Sequence, residues 1–212
     1  MHLTKYEHAC FVVEKDGKVL IVDPGGLTTD FVMPDDEVVA VVVTHEHGDH
    51  LDTDHLSEIA AAFPKVVIIG PRDVTAKLKN FETRTVKGGD NFIIEGIELE
   101  FFGDDHAAIH PSWPLAQNVG VMIDERIYYP GDSFTIPEKS VDTLALPLGA
   151  PWMKVSEAVD YLLAVAPRFA FPTHDAVLSH EGQGFHGNIV GKFAKEADID
   201  FRRIDGETIE VN

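Results

Sequence analysis

Three histidines and one aspartate occur within six residues, with one residue between them and the apolar run 38–43: His45, His47, Asp49 and His50. Side chains two apart on an extended strand point the same way, so a strand that continues through residue 47 would present two imidazoles side by side. Gly48 is expected to allow a turn that residues with a Cβ cannot adopt. After that turn, Asp49 and His50 would point in a different direction and could reach a second ion. Such ligands suit zinc, manganese or iron(II). The segment therefore predicts a metal site, with a solvated and inert loop as the alternative.

Three further candidate ligands follow predicted strands. His106 comes after the strand 97–102, Asp132 after the strand 126–129 and His174 after the strand 169–171. Strand ends on one edge of a sandwich converge, and functional loops gather there. A turn residue is the alternative for Asp132, and a satisfied core histidine is the alternative for His174. His110 lies in the same loop as His106, and proximity to the strand end favours His106 as the ligand.

The order of these residues resembles the metallo-β-lactamase superfamily. The resemblance covers nearly the whole chain and rests on His45-x-His47-x-Asp49-His50 and on the stations that follow it, His106, Gly131-Asp132-Ser133 and His174. It implies one metal held by His45, His47 and His106, and a second held by Asp49, His50 and His174. It also implies that Asp132 bridges the two metals. Asp23, for which a turn former is the alternative, would hold the ligands by hydrogen bonds.

A narrower likeness is to the small metal-dependent hydrolases that include ascorbate-6-phosphate lactonase-like proteins. It rests on the motifs 103–106, 130–133 and 172–175 and on the turn 150–152. The chain has no room for the added segments that give other branches their substrates, so the substrate is not carried over. His8 falls where related sequences also place a histidine, and a structural role is expected for it.

The implied chemistry is hydrolysis at a binuclear centre. Two divalent ions about 3.5–4 Å apart can share a hydroxide at neutral pH. That hydroxide is expected to attack a small ester, lactone, amide or phosphoester while Asp49 orients it. The ions are expected to be zinc, with manganese or iron as alternatives. Their charge exceeds that of Asp49, Asp132 and the hydroxide together, so the site should accept a small-molecule substrate that is anionic or carries a polarised carbonyl.

Substrate contacts are expected from loops near the predicted ligands: His110, Trp113, Trp152 and Lys154. The two tryptophans, together with Met153, would form an apolar wall, and Lys154 would hold a carboxylate or phosphate. His110 would face the substrate or cap its loop. The alternatives are ordinary packing for the tryptophans and a solvated position for Lys154.

The elements that must position these residues follow from the hydrophobic pattern. Two β-rich runs around the Asp16-Gly17 turn predict a hairpin whose second strand delivers Asp23 to a tight turn. Apolar residues at helical spacing predict helices over 54–63, with Asp54 as the N-cap, over 155–166 and over 185–197. Pro71 is expected to open a further helix.

Short strands complete the predicted elements, over 66–69, 141–146 and 169–171, with two more at the C-terminus. Residues 83–130 predict an antiparallel meander. Two sheets face to face with helices on their outer surfaces would bury all of these apolar faces, which is the architecture that the resemblance implies. The predicted fold class is therefore α/β, a four-layer αββα sandwich, in a single domain over residues 1–212.

Composition narrows the class of protein. The chain has 212 residues and is 44% hydrophobic, which suffices to bury a large core in one compact unit. Cys10 is the only cysteine, which excludes an intrachain disulfide and a cysteine-based zinc site. The N-terminus lacks the apolar stretch of a signal peptide, and no run approaches the length of a membrane span, so a soluble, cytoplasmic protein is expected.

The formal net charge of −19 bears on the partners. Such a field repels polyanions, so neither nucleic acid nor an anionic membrane is expected to bind. A metal-dependent nuclease or phosphodiesterase, which would need a basic groove or an aromatic platform, is therefore disfavoured. An iron-dependent oxidoreductase acting on a thiol substrate is compatible with the same ligands. A non-catalytic metal-binding or interaction protein is a further alternative, which seven complete ligand stations disfavour. Nothing in the sequence predicts an oligomeric state.

Overall fold

The computed structural model describes residues 1–212. The strands are β1 (His2–Lys5), β2 (Phe11–Lys15), β3 (Lys18–Val22), β4 (Glu37–Val42), β5 (Val67–Gly70), β6 (Thr83–Thr85), β7 (Asn91–Ile94), β8 (Ile97–Phe102), β9 (Gly120–Ile123), β10 (Ile127–Tyr129), β11 (Thr143–Pro147), β12 (Phe169–Thr173), β13 (Asp200–Phe201) and β14 (Thr208–Glu210). The helices are α1 (Thr53–Ala62), α2 (Arg72–Thr75), α3 (Val155–Val165) and α4 (His180–Glu196). The strands form two seven-stranded sheets, β14-β1-β2-β3-β4-β5-β6 and β13-β12-β11-β10-β9-β8-β7.

The fold has four layers, and an apolar cluster lies between each pair of adjacent layers. The largest, of 24 buried residues, joins the facing sides of the two sheets, and in it Phe11 of β2 packs against Tyr129 of β10 and Phe171 of β12. A second cluster packs α3 and α4 on the second sheet, and a third packs α1 and α2 on the first. This is the predicted αββα sandwich. None of the helices is both long and apolar enough to cross a membrane.

Parallel strands carry the loops of the site to one edge of each sheet. In the first sheet β3, β4 and β5 run parallel, and five of the six residues of β4 are buried. A strand covered on both faces needs a continuous apolar run, which is what the sequence of β4 supplies. The carboxyl ends of β3 and β4 lead to Asp23 and His45, and those of β8, β10 and β12 lead to His106, Asp132 and His174.

The segment after β4 differs from the prediction. The strand ends at Val42, so His45 and His47 do not lie on a continuing strand, and His45 instead forms an isolated bridge with Asn118. Their rings are nevertheless 4.7 Å apart, centroid to centroid. Gly48 has no positive φ, and a Cβ at this residue would meet nothing within 4 Å. The turn therefore does not require a glycine at residue 48.

Three element predictions are also corrected. The N-cap of α1 is Asp52 rather than Asp54, because the Asp52 carboxylate accepts the backbone N–H groups of Asp54 and His55. Strand β6 pairs in parallel with β5 in the first sheet, so the antiparallel meander comprises only β7 to β10. Helix α4 begins at His180 rather than at residue 185, with the Ser179 hydroxyl capping its first turn.

Candidate metal centre

The first cluster of candidate metal ligands combines residues from both sheets. His45 and His47 follow β4, His106 follows β8 and Asp132 follows β10. The ligand atoms of these four side chains lie within 4.8 Å of one another. Asp132 Oδ2 is 3.2 Å from His106 Nε2 and 3.9 Å from His45 Nε2. Three imidazoles and one carboxylate at this spacing suit a divalent cation.

The second cluster consists of His8, Asp49, His50 and His174, again with ligand atoms within 4.8 Å of one another. Asp49 Oδ2 lies 3.2 Å from His8 Nε2, 3.3 Å from His174 Nε2 and 3.8 Å from His50 Nε2. From the sequence, a structural role was expected for His8, and its position beside the candidate ligands was not predicted. Its place directly before β2, at the same sheet edge as Asp23, was the available signal.

Asp132 lies between the two clusters. Its Oδ1 is 3.3 Å from His50 Nε2, and its Oδ2 is 3.0 Å from His174 Nε2 as well as close to His106 of the first cluster. The Asp132 backbone N–H donates to Asn118 Oδ1 at 2.9 Å, which fixes the turn that carries the carboxylate. One carboxylate thus lies close to histidines of both clusters.

Four buried histidines present unpartnered nitrogen atoms to the clusters, namely the Nε2 atoms of His45, His50, His106 and His174. Their Nδ1 atoms face, in the same order, the acceptors Thr44 Oγ1, Asp23 Oδ2, Ala107 O and Gly149 O. An Nδ1–H donated to such an acceptor leaves the Nε2 lone pair free for a cation. A buried polar atom without a partner is otherwise costly. The donor set therefore fits divalent metal ions.

Asp23 is fully buried beside the clusters and holds their backbone and side chains. Its carboxylate accepts hydrogen bonds from Thr44 N–H (2.7 Å), from the Thr44 hydroxyl (2.6 Å) and from His50 Nδ1–H (2.6 Å). The turn that follows packs tightly against the metal motif, since a Cβ on Gly25 would lie 1.9 Å from the carbonyl oxygen of Asp49. The Asp23 turn therefore fixes the positions of Asp49 and His50.

Charges inside the site set the protonation of the candidate ligands. Burial alone would raise the carboxyl pKa of Asp132, but His50 and His174 outweigh it and hold that pKa well below its usual value. Burial opposes protonation of His50, yet Asp132 and Asp23 raise its pKa to about 9. Burial, reinforced by His50, lowers the pKa of His45 well below its ordinary value. A cation that binds His50 at neutral pH must therefore displace a proton.

The two tryptophans predicted to contact substrate both lie at the clusters. Trp113 is 62% exposed and lines a small cavity together with His47 and His106. Trp152 is half-buried, and its indole N–H donates to Asp132 Oδ2 at 2.9 Å. Sequence reasoning did not anticipate this contact with a candidate ligand, because residues 132 and 152 belong to different loops.

His110 and Lys154 lie outside both clusters. His110 is exposed, and its Nδ1 pairs with Ser112 within its own loop. Lys154 is exposed at the N-cap of α3, where its backbone N–H donates to Glu157 Oε2 at 2.6 Å. Between the two histidines of this loop, the structure brings His106 and not His110 to the candidate ligands.

An αββα sandwich with paired histidine and aspartate clusters at its strand ends is a metallo-β-lactamase fold. The chain belongs to the beta-lactamase superfamily, because the protein-family model for the beta-lactamase superfamily domain matches residues 2–174. It is 32% identical over 213 residues to Protein Rv0786c of Mycobacterium tuberculosis, and the match covers 98% of both proteins.

Two further comparisons find similar proteins. The UPF0173 metal-dependent hydrolase PH1671 of Pyrococcus horikoshii is 27% identical over 184 residues, which cover 79% of this chain and 81% of that protein. The solved structure of Igni18, a metallo hydrolase from the archaeon Ignicoccus hospitalis, matches with a TM-score of 0.76 and 19% identity, covering 100% of this chain and 99% of that one. At that identity the structural match shows the shared fold.

Proposed function

We propose that the protein is a metal-dependent hydrolase that cleaves a small ester, lactone, amide or phosphoester. The observation that carries the proposal is the set of four buried Nε2 atoms without hydrogen-bond partners that surround the Asp132 carboxylate. Family membership supports it, as do the names of two similar proteins, a metal-dependent hydrolase and a metallo hydrolase.

In this proposal two sets of three side chains would each hold one ion, and Asp132 would serve both sets. The first set is His45, His47 and His106, and the second is Asp49, His50 and His174. When bound, two divalent ions supply a hydroxide nucleophile at neutral pH and polarise the bond that is cleaved. Zinc is the proposed metal, and manganese or iron would suit the same imidazole and carboxylate donors.

Asp49 is the proposed catalytic residue. Its side chain is 28% exposed, whereas those of Asp132 and Asp23 are 3% and 0% exposed. Asp49 is thus the carboxylate of the site that reaches solvent, where it can orient an attacking water by accepting a hydrogen bond. Asp23 acts through others, because it holds His50 and Thr44 in place.

The substrate in this proposal is a small molecule. The net charge of −19 disfavours a polyanion. Trp113 is the proposed substrate contact that stands beside the ligands, while Trp152, with its N–H committed to Asp132, can offer only its ring. Contacts from His110 and Lys154 would need the substrate to extend along the exposed surface.

The test begins with protein purified without chelator, in which metals are counted per chain. The zinc-loaded protein is then screened against lactones, esters, thioesters and phosphodiesters, with sugar-phosphate lactones included to test the narrower lactonase-like likeness. Two metals per chain and turnover of one substrate class are expected. Asp132→Asn and His47→Ala should each lower kcat/KM by about 1000-fold or more, as expected for loss of a metal. Full turnover in either variant would overturn the assignment, and the exposed His180→Gln is the matched control.

A further inference from the structure

A cavity of about 90 Å³ lies beside the first cluster, between His47 and His106 and the loop 107–116. The loop is closed at its base by backbone hydrogen bonds from His106 N–H to Ala116 O (3.0 Å) and from Ala107 N–H to Asp132 O (2.8 Å). Apart from the two histidines, the lining is apolar: Ala107, Ile109, Trp113, Pro114, Leu115 and Ala116. No carboxylate or ammonium group lines the cavity, although the protein carries a net charge of −19.

We propose that this cavity binds a compact, uncharged alkyl group of the substrate. The inference rests on the proposed function and narrows it to esters, lactones or amides with a short acyl or alkyl chain. At about 30 Å³ per water-sized unit, the cavity of about 90 Å³ holds roughly three alkyl carbon atoms. Trp113 and Leu115 are 62% and 52% exposed, so a bound alkyl chain would remove their apolar surface from water.

Alkyl hydroxamates test the proposal without turnover, because their head group chelates the metal and their chain probes the cavity. Acetyl, propionyl, butyryl and hexanoyl hydroxamates are titrated calorimetrically into the zinc-loaded protein. Affinity should rise about two- to fourfold per methylene up to butyryl and then level off. Trp113→Ala should flatten the series, and Phe185→Ala, which removes another largely exposed aromatic ring, from α4, should not.

Two results would overturn this proposal: a series that does not depend on chain length, or a carboxylate-ended hydroxamate that binds as tightly as the alkyl compound of equal length. Metal content is measured on the same samples. Loss of hydrolysis with the alkyl series intact would contradict the proposed reaction and leave the cavity assignment standing. Absence of metal would contradict the proposed centre itself.

A second inference concerns His8 and rests on a different observation. His8 is buried among the ligands, but its hydrogen bonds run in the opposite sense from theirs. The backbone N–H of Ala176 donates to His8 Nδ1 at 3.3 Å. A ring whose Nδ1 accepts a hydrogen bond carries its proton on Nε2, and a protonated Nε2 has no lone pair for a cation. That Nε2 lies 3.2 Å from Asp49 Oδ2, within reach of a donated hydrogen bond.

We infer that His8 is a positioning residue that donates a hydrogen bond to Asp49, and not a ligand of the second ion. Two features of the backbone hold His8 in this orientation. Its φ of +54° lies in the left-handed region, which is uncommon for a residue with a Cβ. Its carbonyl oxygen accepts hydrogen bonds from the buried Lys5 ammonium (2.8 Å) and from the backbone N–H of His174 (3.1 Å). His8 thereby ties Asp49 to the loop that carries His174.

The tautomer is directly measurable by two-bond nitrogen–proton NMR on protein labelled with ¹⁵N-histidine. His8 should show a protonated Nε2 and an unprotonated Nδ1 in both metal-free and zinc-loaded protein. His45, His50, His106 and His174 should show zinc-bound Nε2 atoms once the metal is added. A zinc-bound Nε2 on His8, or a proton on its Nδ1, would overturn the inference. Since the metal-free spectrum already reads the His8 tautomer, the result is independent of whether the protein hydrolyses anything.

Variants separate positioning from ligation. His8→Gln places an amide N–H near the position of Nε2 and should retain two zinc ions per chain with activity within about tenfold of wild type. His8→Phe keeps a ring but no donor, and should still bind two ions while its affinity for the second falls about 10- to 100-fold, the usual effect of removing a ligand's hydrogen-bond partner. A His8→Phe protein that is folded by circular dichroism yet holds one ion per chain, even at zinc concentrations where a 100-fold loss of affinity would leave both sites filled, would show that His8 is a ligand.

Discussion

At the scale of single residues, one buried carboxylate sets the tautomers of two histidines. Asp23 accepts the His50 Nδ1–H directly and the Thr44 hydroxyl proton beside it. With its proton committed to Asp23, the Thr44 oxygen is left as the acceptor for His45 Nδ1–H at 3.1 Å. His45 belongs to the first cluster and His50 to the second. Asp23 therefore prepares one ligand of each candidate ion without facing either.

Replacing Asp23 by Asn should weaken both candidate metal sites. The amide keeps the volume of the carboxylate but has only one acceptor oxygen. With that oxygen at the position of Oδ1, the hydrogen bonds from the Thr44 hydroxyl and from His50 are lost, and with it at the position of Oδ2, the hydrogen bond from the Thr44 backbone N–H is lost. Zinc affinity should fall about 10- to 100-fold, measured by competition with a chromogenic chelator. Asp36→Asn, at an exposed aspartate, is the matched control and should leave the affinity unchanged. Equal affinities in the two variants would show that Asp23 is only a turn former.

Chemically distinctive residues at set spacing were predictable, whereas partners distant in sequence were not. Four candidate ligands occur within six residues of the sequence, namely His45, His47, Asp49 and His50. The structure brings them together with His106, Asp132 and His174. The role of His8 depends on the Ala176 N–H, 168 residues away, and on a donor direction that no pattern of residue types encodes. The Trp152 contact with Asp132 was out of reach for the same reason.

At the scale of elements, the hairpin, the buried strands and the helices with strong apolar stripes were predictable, because periodicity alone determines them. The incorrect element predictions lie where a contact between residues distant in sequence determines the end or the pairing of a strand. Strand β4 stops at Val42 although the apolar run reaches Val43, and β6 joins β5 across the sheet. Asp52 and Asp54 are equally good caps by type, and only the hydrogen bonds to the first turn distinguish them.

The turn after β3 gives an element-scale prediction. In Gly25→Ala the new Cβ would lie 1.9 Å from Asp49 O and 2.4 Å from His50 N, so the metal motif must move away from the Asp23 turn. Binding of the second ion should be lost or weakened more than 10-fold, since about 1 Å of displacement suffices to spoil a site. Metal titration checks this. Gly184→Ala, on α4 with nothing within 4 Å of a new Cβ, is the control, and equal behaviour of the two variants would contradict the prediction.

The pair formed by Asp142 and Arg168, directly before β11 and β12, should stabilise the protein in a pH-dependent manner. Arg168 donates to both carboxylate oxygens, at 2.8 and 3.0 Å, and its hydrogen bonds lower the pKa of Asp142. A lowered carboxyl pKa stabilises the fold above the unfolded value of about 3.9 and loses that effect as pH falls through the folded pKa. Because Arg168 is largely exposed, Asp142→Asn should cost only about 0.5–1 kcal/mol at pH 7, and the cost should be smaller at about pH 3, below the unfolded pKa. Urea unfolding at the two pH values measures both, and an equal loss at each would exclude the ion pair as the cause.

At the scale of the whole molecule, the candidate centre spans the seam between the two sheets. Asp49, His45, His47 and His50 belong to the first half of the sandwich, and His106, Asp132 and His174 follow strands of the second. The 24-residue cluster between the sheets holds the halves together independently of any ion. The layer order was predictable because each half supplies strands and helices with one apolar face. The convergence of the loops was predictable because strand ends meet at one edge of a sandwich, while the division of the residues into two ligand sets rested on the resemblance. Whether residues 1–212 form a single domain stays a prediction.

Because its ligands come from both halves, a bound ion should act as a cross-link that stabilises the folded protein. At a free zinc concentration 100 times Kd, each ion adds about 2.7 kcal/mol to the free energy of unfolding. Removing zinc with a chelator should therefore lower the urea midpoint, and adding it back should restore the original value. His174→Ala deletes a second-half ligand, so the zinc-dependent gain should shrink by about half in this variant, whereas the surface variant His180→Gln should keep it whole. If the midpoint is the same with and without zinc in the wild-type protein, the ligands do not hold an ion across the seam.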